Sequence, residues 1–203
     1  MKPFWIDLAT HDPAGAAAFY REVFGWELID DEIAELDGRP VAAFMDTVDE
    51  SGEALAPTAW GVSLEVADLD KTAAKVEAAG GSVEFGPVDD SLHCLDATGA
   101  YVVFSTPGDF PGTAADVRCE LLARDYVGAQ DFYSRVLGSG SAEVRDARGL
   151  PIEAGSTWRV CFVVPSVEEV AERVRAAGGT VVSVDSDRAE VADPQGAPFM
   201  LLT

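Results

Sequence analysis

The chain has 203 residues, 48% of them hydrophobic, with 36 acidic against 14 basic side chains and a net charge of −22 at pH 7. That length and apolar content suit one large domain or two small ones with real cores. The charge argues against nucleic-acid partners, which need a basic footprint to displace phosphate counterions, and against docking on anionic membranes; an acidic coat serves solubility or adaptation to salt. No apolar run reaches the ~18–20 residues that span a bilayer, and MKPFWIDLATHD lacks a signal peptide's apolar core. Cys94, Cys119 and Cys161 show no CxxC spacing, as expected of reduced thiols in a cytoplasmic protein.

In chain order, Phe4–Ala9 alternates as a strand. Asp12-Pro13 opens a helix, with aspartate as N-cap and proline at the first helical position. Ala16, Phe19, Tyr20, Val23 and Phe24 recur at helical spacing until Gly25 stops the helix. Trp26–Asp31 and Val41–Asp46 read as strands around the Asp37-Gly38 turn signal. Thr47–Pro57 reads as an acidic loop, or a short strand followed by a loop, and Ala59–Ala67 as a strand. Asp68 caps a helix over Leu69–Ala79 that ends at Gly80-Gly81. Ser82–Phe85, Leu92–Leu95 and Tyr101–Thr106 are strands, and Pro107–Ala115 is a Gly/Pro-rich linker. Beyond it come strand Val117–Ala123, helix Gly128–Leu137, and strands Ser141–Asp146, Ile152–Ala154 and Thr157–Val164. Helix Val167–Ala177 follows, then strands Val181–Val184, Ala189–Val191 and Phe199–Leu202.

The order recurs because the sequence nearly repeats. HDPAGAAAFYREVFGW (His11–Trp26) returns as RDYVGAQDFYSRVLGS (Arg124–Ser139), 113 residues on. VEAAGGSVE (Val76–Glu84) returns as VRAAGGTVV (Val174–Val182), 98 on, and LDATGAYVVF (Leu95–Phe104) as ADPQGAPFML (Ala192–Leu201), 97 on. Three ordered echoes mean duplication, with a first domain at 1–106, a linker at 107–115 and a second domain at 116–203. The fall from 113 to 98 makes the second copy about 15 residues shorter. The element order places that loss between its third strand and Thr157, opposite the Thr47–Pro57 loop. Each half reads as two β-α-β-β(-β) modules, and four such modules with helices outside predict an α+β fold.

The opening strand, the "D…A..FY...(L/F)G" helix, the "V.DLD" helix start, the "AAGG" stop and the "D..G" turn before the last strand occur in that order, twice. This resembles tandem members of the vicinal oxygen chelate superfamily, the glyoxalase/bleomycin-resistance/dioxygenase group, especially its two-domain actinobacterial proteins. The resemblance implies domains of two βαβββ modules whose curled sheets form a cup. In metal-dependent members a divalent ion is held by His, Gln or Glu near the start of the opening strands and by Glu on the closing strands. Counted from the motifs, those positions fall on Trp5, Gly61 (or its neighbour Trp60) and Val103 in the first copy, and on Arg118, Arg159 and Met200 in the second. None offers the imidazole or carboxylate such an ion needs. A one-residue slip gives Ile6, Val62 and Phe104, which are equally inert. The resemblance therefore implies no metal and no cofactor here, and disfavours glyoxalase I and ring-cleaving dioxygenase chemistry.

The replacements define the candidate site. Trp5, Trp60 and Trp158 on opening strands suit a flat or apolar ligand, and equally suit core packing. If Trp5 faces the cup, alternation turns Asp7 the same way, and the counterpart of Asp7 is Glu120, two residues after Arg118. A duplicated acid at an inward position can serve as general base or ligand acceptor, or as a structural acceptor for amides or an arginine. Arg118 or Arg159 can neutralise Glu120, or both can bind an anionic ligand. Ser63, Glu65 and Tyr101 can line the first cup by alternation. His93 and Cys94 are adjacent on a strand and point to opposite faces, so they cannot form a dyad; His11 sits at a helix entrance.

Three functional readings follow. The first is a metal-free protein that sequesters an aromatic or amphipathic small molecule, in the manner of bleomycin-resistance proteins. The second is a metal-independent isomerase, cyclase or lyase with Asp7 or Glu120 as acid/base. The third makes one copy a structural partner in a built-in dimer, the chain being a monomer or a homodimer.

Overall fold

The computed structural model describes residues 1–30, 32–49, 51–107, 112–138, 142–149 and 155–203. The chain runs through β1 (Trp5–Thr10), α1 (Pro13–Phe24), β2 (Glu27–Ile29), β3 (Ile33–Leu36), β4 (Arg39–Asp46), β5 (Ala59–Glu65), α2 (Leu69–Ala78), β6 (Ser82–Val88), β7 (Ser91–Leu95) and β8 (Tyr101–Ser105). It continues with β9 (Val117–Ala123), α3 (Tyr126–Leu137), β10 (Val144–Asp146), β11 (Ser156–Val163), α4 (Val167–Ala176), β12 (Thr180–Val184), β13 (Arg188–Ala192) and β14 (Pro198–Leu202). Among the described residues there are thus fourteen strands, in two sheets, and four helices, an α+β fold. No described helix is long and apolar enough to cross a membrane.

The helices start and stop where side-chain chemistry requires. Asp12 accepts the Gly15 N–H and Pro13 opens α1, while Gly25 closes it in the left-handed region at φ 78°. Asp125 repeats the cap on the Gly128 N–H of α3, and Asp68 and Ser166 cap α2 and α4. The short β3, IAEL, has too few residues for alternation to reveal it, and it appears between the two strands expected on either side of Asp37-Gly38. The Thr47–Pro57 stretch holds one isolated bridge, Val48 to Ala54. The expected strand Ile152–Ala154, Ser141, and residues 108–111 of the linker lie outside the described residues.

Packing groups the elements differently from the halves 1–106 and 116–203. One compact unit joins Trp5–Trp60, Gly112–Arg118 and Val160–Thr203, and holds α1 and α4; the other joins Met1–Phe4, Gly61–Pro111 and Cys119–Arg159, and holds α2 and α3. In the α1/α4 unit, β2, β3 and β4 form an antiparallel meander and β4 pairs parallel with β1. The same unit pairs β11 parallel with β14, followed by antiparallel β13 and β12. In the α2/α3 unit β5 pairs parallel with β8, then antiparallel β7 and β6, and β10 pairs parallel with β9. Each unit therefore takes its first module from one half of the sequence and its second from the other.

Register relocates the loss in the second copy. Leu8 of β1 pairs with Phe44, 36 positions on, whereas its counterpart Leu121 of β9 pairs with Val144, 23 positions on. Thirteen of the missing residues thus fall between α3 and β10, where the first copy carries β2 and β3, and not opposite the Thr47–Pro57 loop. Six residues separate Leu137 from Val144, too few for two strands and their turn.

The "AAGG" and "FY" motifs meet across the halves. A Cβ on Gly81 would lie 2.8 Å from the Phe132 ring of α3, and one on Gly179 would lie 2.9 Å from the Phe19 ring of α1. The second glycine of each motif is what lets the phenylalanine of the opposite half reach the core, where Phe19 and Phe132 are 3% and 1% exposed.

Candidate functional site

The α1/α4 unit holds Trp5, Asp7, Trp60 and Arg118; the α2/α3 unit holds Ser63, Tyr101, Glu120, Trp158 and Arg159. Along β1, Ile6, Leu8 and Thr10 are fully buried. Trp5 and Asp7 stand together on the other face, as a strand's alternation requires. The Trp5 indole N–H donates to Asp7 Oδ1 at 2.9 Å. Burial pushes the Asp7 carboxyl up from 3.8 to about 6, against the opposing pull of that N–H. Beside Asp7 in the ladder lies Ala43 of β4. A cavity of about 580 Å³ opens along β4, walled by Ile33, Ala43, Phe44 and Met45 and edged by Asp30, Glu32 and Asp46.

A carboxyl whose folded pKa lies above its unfolded value stabilises the fold fully below pH 3.8, and that contribution is lost as pH rises through about 6. Asp7→Asn keeps an oxygen for the indole and removes the ionisation. It is expected to raise Tm relative to the parent at pH 8 and to leave it unchanged near pH 4. Asp7 retains some exposure, so the gain is at most about 3 kcal/mol. Thermal melts of both proteins across this range check it; a difference that does not vary with pH would contradict it.

The three candidate tryptophans, Trp5, Trp60 and Trp158, are all buried, each 8% exposed, and they divide by face and partner. Trp60 is on the core side of β5, not on an open wall. Its indole N–H donates to Tyr20 Oη at 3.0 Å, and its ring meets those of Tyr20, Trp26, Phe44 and Phe162 edge-on. Tyr20 Oη in turn donates to Asp193 Oδ2 at 3.2 Å, and Asp193 Oδ1 accepts the backbone N–H groups of Gln195 and Ala197, both at 2.9 Å. The α2/α3 unit repeats this chain: Trp158 Nε1 to Tyr133 Oη at 2.9 Å, and Tyr133 Oη to Asp96 Oδ2 at 3.0 Å. Asp96 Oδ1 there accepts from the N–H groups of Thr98 and Ala100. Burial, with the Asp193 charge next in weight, holds Tyr20 well above its ordinary value, so its hydroxyl stays a donor. Trp60 and Trp158 are thus members of duplicated buried networks, which accounts for their place in the sequence without a ligand.

The duplicated acid diverges as well. Glu120 is 5% exposed and pairs with Arg145 Nη1 of β10 at 3.0 Å, an arginine the spacing argument did not weigh. Arg159, half-buried, follows Trp158 and points to the opposite face of β11; Arg118 is exposed on β9. Ser63 is buried and its carbonyl accepts the Phe4 N–H. Glu65 is exposed, and His11 Nδ1 meets Thr58 Oγ1 at 3.0 Å.

Tyr101 leads to a group that sequence reasoning missed. It is 50% exposed, and its Oη lies 2.5 Å from His93 Nδ1; His93 Nε2 lies 3.2 Å from Ser91 Oγ. The ring of Phe85, 62% exposed, meets His93 edge-on at 5.7 Å. Burial lowers the His93 pKa, favouring the neutral ring that both hydroxyls can bond. The available signal was the turn after β7. It pairs Leu95 with Tyr101 and His93 with Val103, making His93 and Tyr101 diagonal neighbours. Cys94 points the other way and is buried, its thiol pushed up to about 11 chiefly by that burial.

The paired modules and their β-α-β order define a glyoxalase-type fold. Residues 2–107 match the Glyoxalase/Bleomycin resistance protein/Dioxygenase superfamily, and the chain belongs to that family. CFP32 of Mycobacterium tuberculosis, which bears a provisional glyoxylase name, is 29% identical over 98% of this chain and 94% of its own length. The anthracycline biosynthesis protein DnrV of Streptomyces peucetius is 28% identical over 98% of this chain and 92% of its own. The fold matches 2,2',3-trihydroxybiphenyl 1,2-dioxygenase of Sphingomonas wittichii with a TM-score of 0.67 at 15% identity, covering 99% of this chain and 89% of that one.

At the positions that the resemblance gives to metal ligands, Val103 packs in β8 beside Ser63, and Met200 in β14 beside Cys161. Trp5 is held by Asp7. Among the described residues no group of three or more His, Cys, Asp or Glu side chains is placed to hold a metal ion. These residues do not fit a divalent ion.

Proposed function

We propose that the chain is a metal-independent member of its superfamily that binds an aromatic or amphipathic small molecule. The cavity of about 580 Å³ along β4, on the strand next to Trp5 and Asp7, carries this reading. Its size falls within the ~300–1,000 Å³ of small-molecule sites. Its apolar wall suits an apolar body, and the carboxylates at its edge suit a neutral or cationic end. Phe85, His93 and Tyr101 offer aromatic surface in the other unit. Bleomycin resistance in the family's name, and an anthracycline biosynthesis protein among the relatives, are compatible with a ligand of this kind.

Protein purified without chelator is expected to carry far less than one equivalent of zinc, nickel or iron by elemental analysis. A thermal-shift screen of aromatic and amphipathic compounds is expected to find ligands that raise Tm by several degrees. Saturation at a hundred times Kd is worth about 2.7 kcal/mol. Stoichiometric metal would overturn the reading, and a screen that moves nothing would count against it.

One observation favours a second reading, an isomerase, cyclase or lyase. A carboxyl near 6 is suited to proton transfer close to neutrality. Asp7→Asn should then abolish turnover of an identified substrate with folding intact. Glu120→Gln should matter less, because Arg145 already occupies that carboxylate.

A further inference from the structure

On the helix side of the α1/α4 unit, away from the face that carries Trp5 and Asp7, the ends of α1 and β11 enclose a pocket of about 220 Å³. Its floor is aromatic: the Phe24–Phe162, Phe24–Trp26 and Trp26–Phe162 ring centroids lie 4.9, 5.3 and 5.4 Å apart. Trp26 and Phe162 are 4% and 3% exposed, so their rings meet the pocket from within the core. Val170 of α4 closes one wall.

Two charges line the same pocket, Asp116 just before β9 and Arg173 in the last turn of α4. Both are exposed and they form no ion pair with each other. Opposite charges that share an apolar pocket without pairing leave one acceptor and one donor for a guest. A carboxylate alone would gain Arg173 and be repelled by Asp116, and an amine alone would meet the reverse. A guest carrying both charges satisfies both. The pocket is smaller than the ~300–1,000 Å³ typical of drug-sized sites, which limits the guest to about one ring.

We propose that this pocket binds a small zwitterion with one apolar or aromatic side group, an α-amino acid of the size of phenylalanine, its side chain on the three rings, its ammonium at Asp116 and its carboxylate at Arg173. The site is separate from the cavity along β4 and stands or falls independently of the function proposed there.

Calorimetric titration of the full chain with L-phenylalanine tests it, with phenylacetate, phenethylamine and glycine as partial ligands. Phenylalanine should bind at one equivalent, and each partial ligand about tenfold or more weaker. Arg173→Ala and Asp116→Asn should each weaken phenylalanine about tenfold without changing the Tm of the free protein. Val170→Phe, which fills the pocket, should abolish binding, and Asp7→Asn should leave it unchanged. Equal binding of phenylacetate or of phenethylamine would overturn the zwitterion assignment. Failure of phenylalanine to bind, or unaltered binding in both charge variants, would overturn the site.

Discussion

Asp193→Ala is expected to lower stability by about 3–5 kcal/mol, a Tm loss on the order of 10 °C for a chain of this size. Asp193 is 2% exposed, and its two oxygens serve three donors: Tyr20 Oη and the N–H groups of Gln195 and Ala197. Alanine leaves all three without that acceptor. Tyr20 and Ala197 are fully buried, so water cannot substitute there, and each stranded donor costs about 1–3 kcal/mol. Asp193→Asn should lose less. Its carbonyl oxygen still accepts from the two amides, while its NH₂ faces a Tyr20 oxygen that already accepts from Trp60. Tyr20→Phe should be coupled to Asp193→Ala, the double variant losing less than the two single losses together. Asp96→Ala and Tyr133→Phe should behave alike in the α2/α3 unit. Denaturant melts of these variants check this; losses within about 0.5 kcal/mol for Asp193→Ala and Asp96→Ala would mean that the networks carry little of the stability.

These networks also show what the sequence could and could not tell. Helices were legible because capping and spacing are local: Asp12, Pro13 and Gly25 bound α1 without reference to anything distant. β3 was not, because four residues, one buried and three half-buried, carry too little alternation. Spacing revealed that 15 residues were missing, but register was needed to place thirteen of them before β10. Crosswise packing was illegible, since a repeat says what was copied and not which copy packs against which. The site was harder still. Trp5 and Trp60 both lie on opening strands and are equally buried, each 8% exposed, and only the face each occupies separates the side chain that meets Asp7 from the one inside the repeated network. A comparison within the sequence nevertheless held the answer. Trp60, Tyr20 and Asp96 all recur, as Trp158, Tyr133 and Asp193, and recurring polar-aromatic sets proved to be scaffold. Trp5 does not recur, its counterpart being Arg118. His93 was passed over because it was weighed against its chain neighbour Cys94, when its partner Tyr101 lies across the hairpin.

The two glycines that stop α4 should fail for different reasons, and the second should fail harder. Gly178 has φ +88°, a conformation that strains any side chain, but a Cβ there would meet nothing nearer than Pro194 at 3.9 Å. Gly178→Ala is therefore expected to cost about 1–2 kcal/mol, and Gly178→Asn less, because asparagine tolerates that region. Gly179 does not have that conformation. Its Cβ would instead stand 2.7 Å from the Ala192 carbonyl, 2.8 Å from Val174 and 2.9 Å from the Phe19 ring. None of the three can yield cheaply. Ala192 is fixed by the β12–β13 ladder opposite Thr180, Val174 is fully buried in α4, and Phe19 is wedged edge-on against Tyr20. Gly179→Ala should cost about 3 kcal/mol or more, at or beyond the top of the range for overpacked cores. Asparagine should not rescue it. Phe19→Leu should recover only part of the loss, since it frees the ring contact and leaves the carbonyl in place. Denaturant melts of Gly178→Ala, Gly179→Ala and the Phe19→Leu double variant decide it. Equal losses at 178 and 179 would mean that backbone conformation, not the approach of α1, sets the requirement for glycine.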